Sequence, residues 1–79
     1  MEHLNTLRAM LKSALFDLEM ADEAKAVELM SYALATAASI AILEGNDSTA
    51  ATLYDENKRV TKDSNYIKRT SLALQLTYL

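Results

Sequence analysis

The chain has 79 residues, no cysteine, no proline, one glycine, one histidine and a net charge of −3. These counts exclude disulfides, thiolate metal sites and glycine-rich phosphate loops. They leave one small domain, residues 1–79, burying only about 60–65% of its unfolded surface, a size at which oligomerisation is the expected supplement to a thin core.

The first predicted helix covers residues 3–20. Leu4, Leu7, Leu11, Ala14 and Leu18 follow 3-4-3-4 spacing and make a continuous apolar stripe. Met10, Leu15 and Phe16 widen the apolar surface beyond that seam, and Glu2 sits where the helix dipole favours negative charge. Asp22 is a capping residue for a second helix, with Glu23 in its first turn. A break at residues 20–22 is expected to fold the two helices into a hairpin, because one continuous helix would expose far too much apolar surface.

The second helix, residues 22–44, contains the most informative segment of the chain. Leu29–Leu43 carries no charge, is rich in Ala, Ser and Thr, and has acids just outside it at Glu28 and Glu44. At fifteen residues it falls short of the roughly 18–20 needed to cross a membrane, and its flanks are acidic, so it reads as core. Two apolar seams run along it: Val27, Met30, Leu34, Ala37 and Ala41, and Leu29, Ala33, Thr36, Ile40 and Leu43. Two seams require partners on two sides: one can be the first helix, and the other must be the third helix or another chain. The expectation is a homodimer completed around this helix, with Leu29, Met30, Ala33, Leu34, Ala37, Ile40 and Ala41 at the oligomer interface and the alanines at closest approach.

Gly45 is placed to end the second helix in a left-handed conformation. Asn46, Asp47, Ser48 and Thr49 then offer caps for a third helix over residues 49–62, with Ala50, Leu53, Tyr54, Asn57 and Val60 inward and an Asp55–Arg59 pair on its surface. Residues 62–65 read as a turn. The segment 65–79 is ambiguous between helix and single strand. Leu72, Leu74, Leu76 and Tyr78 alternate with smaller or polar residues in a strand pattern, whereas Leu, Ala and Gln favour helix. Helix is preferred because a lone strand would lack a mate. The fold class is therefore all-α: a small helical bundle of a hairpin and a third helix, with the last segment open.

Charge is unevenly spread. Residues 1–57 balance at −7 and residues 58–79 at +4. The basic end, Lys58, Arg59, Lys62, Lys68 and Arg69 with Tyr66 exposed among them, is the expected partner-binding element, and the other tyrosines belong at the core rim. Deleting residues 64–79 is then expected to leave a helical dimer. No nucleophile–base arrangement, cofactor motif or metal-ligand spacing is present in the sequence, and His3 stands alone near the first residue. Catalytic, cofactor and metal sites are therefore expected to be absent.

The leading functional reading is a non-catalytic protein-interaction module, a small regulator, inhibitor or adaptor. Two others stand beside it: a nucleic-acid-binding modulator using the basic cluster at 58–69, and a self-assembling structural subunit using the charge split. The first residues lack the basic and apolar regions of a signal peptide, and the absence of cysteine suits a reducing compartment, so a cytoplasmic location without membrane association is expected.

Overall fold

The apolar stripe of the first segment becomes a helix in the computed structural model, which describes residues 2–79. Helix α1 (Glu2–Leu18) buries Leu11, Ala14, Leu15 and Leu18, and half-buries Leu7 and Leu4 one and two turns before Leu11 on the same face. Met10 and Phe16 point away from that face into solvent. The helix ends at Leu18, two residues earlier than expected, and unwinds through bonds from the Glu19, Met20 and Ala21 N–H groups to the carbonyls of Phe16, Asp17 and Leu18.

Asp22 caps the next helix, α2 (Glu23–Leu43): its Oδ1 accepts from the Lys25 backbone N–H at 2.9 Å. Helix α2 folds back along α1, and Arg8 of α1 meets Glu44 just beyond its end at 3.1 Å. Both predicted seams of α2 are used. Met30, Ala33, Leu34, Ala37, Ala38, Ile40 and Ala41 are at most 1% exposed. The hydroxyls of Thr36 and Ser39 donate back to the carbonyls of Tyr32 and Ala35, which lets a polar residue enter the core without an unmet bond.

A Schellman motif stops α2. The Gly45 N–H bonds the Ile42 carbonyl and the Asn46 N–H bonds the Ala41 carbonyl, with Gly45 at φ +78°. Asn46 at once caps α3 (Asp47–Asn57), its side chain accepting from the Thr49 N–H at 3.2 Å. Helix α3 packs on α2 through small residues, Ala50 against Ala38 and Ala41, with Leu53 beside them. Tyr54, expected inward, faces solvent. The helix stops at Asn57 rather than residue 62. The β-branched pair Val60-Thr61 disfavours further turns, and leaving the helix lets the Val60 side chain reach the core.

Asp63 opens the last helix, α4 (Ser64–Tyr78), accepting from the N–H groups of Asn65 (2.8 Å) and Tyr66 (3.3 Å). The ambiguous segment is thus helical, and no strand occurs among the described residues. Ile67, Ser71 and Leu74 are buried and Tyr78 half-buried, a spacing of 4, 3 and 4. Leu72 and Leu76, which gave the strand pattern its alternation, stay outside. Helix α4 runs antiparallel to α1: Leu18 and Ile67 line one hollow between the two helices, Lys12 and Leu79 another.

Helices α3 and α4 of the same chain supply the cover for which a second molecule was expected, α3 the larger share. Of the seven residues expected at an oligomer interface, Met30, Ala33, Leu34, Ala37, Ile40 and Ala41 are already closed by α1, α3 and α4 of the same chain, and Leu29 is half-buried. The six buried residues have no surface left to offer a partner. The radius of gyration, 11.7 Å, equals the roughly 12 Å expected of a folded chain of this length. Because α4 is a wall of the core, deleting residues 64–79 removes Ile67, Ser71 and Leu74 and opens the bundle, instead of releasing a tail. Helix α2 is also longer than the fifteen-residue apolar run, and by length and composition it could cross a membrane. Here many of its apolar side chains pack against the other three helices, while Tyr32, Ile42 and Leu43 stay exposed.

Candidate interaction surfaces

The two flanks of α4 differ. Toward α3 the backbones stay apart and leave a groove of about 510 Å³. Its floor is apolar, with Leu34, Leu53 and Leu74, and its rims carry Ala73, threonines, Tyr66, Arg69 and Glu56. Tyr66 spans the groove at one end, its hydroxyl donating to Glu56 Oε1 at 2.7 Å. Burial first, then the bond to Glu56 and that carboxylate's charge, push the Tyr66 hydroxyl up to about 12, against a smaller opposing effect of a bond with Thr70. Tyr78 lines the other end, and its hydroxyl is also raised, by burial and then by the charge of Glu44.

Toward α1 the flank is more exposed. Leu72, Leu76 and Leu79, spaced by 4 and 3 on α4, are 55%, 80% and 53% exposed, and Phe16 of α1 is 67% exposed. A hollow of about 430 Å³ lies between Phe16 and the pair Leu76 and Leu79, bounded by Lys12 and Glu19, and Leu72 lines the neighbouring hollow with Leu18 and Ile67. The helical reading of the sequence does put Leu72, Leu76 and Leu79 on one side. What it does not supply is Phe16, which joins them only because α1 and α4 are antiparallel neighbours.

The six expected partner-binding residues do not form one patch. Lys62 and Lys68 sit with Asp22 and Glu23 at the turn between α1 and α2, and Lys68 also shares a hollow with Glu19. Arg69, a helical step of about 100° away, lies on the opposite flank in the α3–α4 groove. Arg59 pairs with Asp55 at 3.1 Å as expected, Lys58 is exposed in the turn after α3, and Tyr66 is half-buried and bonded instead of exposed. Much of the basic end thus faces the acidic turn of its own chain.

The carboxylates hold structural places. Asp22, Asp47 and Asp63 stand at helix starts, while Glu44, Glu28 and Asp55 pair with Arg8, Lys25 and Arg59. No group of three or more metal-ligating side chains occurs among the described residues. Compared with known protein families, curated proteins and solved structures, the chain matches none.

Proposed function

We propose that the chain is a non-catalytic protein-interaction module, a small cytoplasmic regulator, inhibitor or adaptor, and that its partner docks in the α3–α4 groove. The observation that carries this reading is the groove itself: an apolar floor of Leu34, Leu53 and Leu74 that the chain's own side chains leave unfilled, with Arg69 on the rim. Apolar concavities with a few placed polar groups are where proteins take their ligands. Arg69 donates one bond, from Nε to the Asn65 carbonyl at 3.4 Å, and is in no ion pair among the described residues. Its guanidinium suits a carboxylate. The fitting partner is a peptide segment that places a large apolar side chain in the groove with an acidic residue beside it.

The divergence of Lys68 and Arg69 onto opposite flanks argues against a phosphate-tracking surface. Capture from native lysate tests the assignment. One dominant protein should be retained after nuclease treatment, and its retention should change little between low and moderate salt, since the apolar floor carries most of the contact. Ala73→Leu, at an exposed position lining the groove, should abolish capture without altering the helical signal. Capture that survives Ala73→Leu, or that vanishes with nuclease, overturns the reading.

A further inference from the structure

The outer face formed by α1 and α4 has a property that the groove lacks: its charges are complementary to themselves. Lys12 and Phe16 lie one turn apart on α1, and Glu19, in the turn just after it, lines the same hollow, so the large apolar side chain is flanked by a cation on one side and an anion on the other. On α4 the stripe Leu72, Leu76 and Leu79 runs alongside in the opposite direction, and Leu76 shares the hollow with Phe16. Neither Lys12 nor Glu19 takes part in any of the three ion pairs among the described residues, and Lys68, close to Glu19, is not within ion-pair distance of it.

We infer that this face is covered by a second copy of the chain, related by a two-fold axis passing near Phe16. Such an axis reverses α1 against its copy. It sets Lys12 of each protomer against Glu19 of the other, and it packs the two Phe16 rings and the two Leu72–Leu76–Leu79 stripes together. An isologous contact requires this kind of self-complementary patch. The four exposed apolar side chains offer on the order of 500 Å², at the upper end of what lone monomers leave uncovered. Lys12, Glu19 and Gln75 around them bring each side near the roughly 800 Å² of a standard interface. The dimer seam is therefore on the outer face of α1 and α4, far from the α2 residues closed in the chain's own core.

This inference is independent of the partner groove, which lies on the other flank of α4, and the two fail separately. Sedimentation velocity of the full chain at micromolar to millimolar concentration should give twice the mass of one chain. Leu76→Glu should yield a monomer with unchanged helical content, since Leu76 is 80% exposed and outside the core. Lys12→Glu should raise the dissociation constant at least tenfold by opposing two glutamates across the seam. The exchange Lys12→Glu with Glu19→Lys should bring it back toward the wild-type value. A wild-type chain that stays monomeric at millimolar concentration overturns the inference. So does a dimer indifferent to Leu76→Glu, or one that the charge exchange does not restore. Ala73→Leu should leave the dimer intact.

Discussion

Replacing Tyr66 with phenylalanine removes one oxygen and leaves the ring against the core. That oxygen donates at 2.7 Å to Glu56 and ties the first turn of α4 to the last turn of α3. Hydrogen bonds to charged groups contribute about 1.5–3 kcal/mol when well sheltered. Partial exposure reduces this one to about 1 kcal/mol, which in a domain of this size lowers Tm by about 4–8 °C. The pH dependence gives a second signature. The hydroxyl is raised from 10.0 to about 12, so the fold favours its neutral form. The unfolded chain gives up the proton near 10 while the folded chain holds it. The stabilisation is therefore complete below pH 10 and disappears as pH rises through 12. Thermal unfolding followed by circular dichroism should show wild type above Tyr66→Phe at pH 7 to 9, with the gap narrowing above pH 10. Equal melting temperatures at pH 7, or a gap that stays constant to pH 12, would refute the assignment.

Two further substitutions test the packing and the helix stop. Ala37→Leu forces extra carbons into a position that is 0% exposed; it should destabilise the single chain by about 1–3 kcal/mol, measured by urea unfolding, and unaltered stability would show that the centre of α2 is not closed. Gly45→Ala meets no atom within 4 Å, so its cost of about 1 kcal/mol comes entirely from the left-handed backbone at φ +78°, and Gly45→Asn should cost less in the same melt.

Local chemistry made the two long helices and their ends readable. Asp22, Gly45 and the Leu4–Leu18 stripe act on their own neighbours, and each does what its residue type and spacing imply. The end of α3 was missed because the inward pattern continued to Val60, while the β-branched pair there favoured leaving the helix. For α4 the obstacle was a period-two pattern in which two of the four large residues, Leu72 and Leu76, never enter the core. Its seat against α1 and α2 decides the matter, and that seat is not local. Two apolar seams on α2 were legible, but their cover comes from α1 and α3, with a smaller share from α4, all of the same molecule. The basic cluster failed for a geometric reason: Lys68 and Arg69 are neighbours in sequence but lie on different flanks of one helix.

Asn46 has a mechanical consequence. Its backbone closes α2 and its side chain opens α3, so one residue welds the two helices into a rigid elbow. The connection from α3 to α4 is built otherwise. Between Val60 and Asp63 the only internal tie among the described residues is the 3.4 Å bond from the Asp63 N–H to the Thr61 hydroxyl. One wall of the α3–α4 groove is therefore joined to α2 through a doubly capped corner, whereas the other is held by the buried Ile67, Ser71 and Leu74 and by the Tyr66–Glu56 bond. The width of the groove thus rests on where the side chains of α4 seat, and the angle between α2 and α3 on the caps of a single residue.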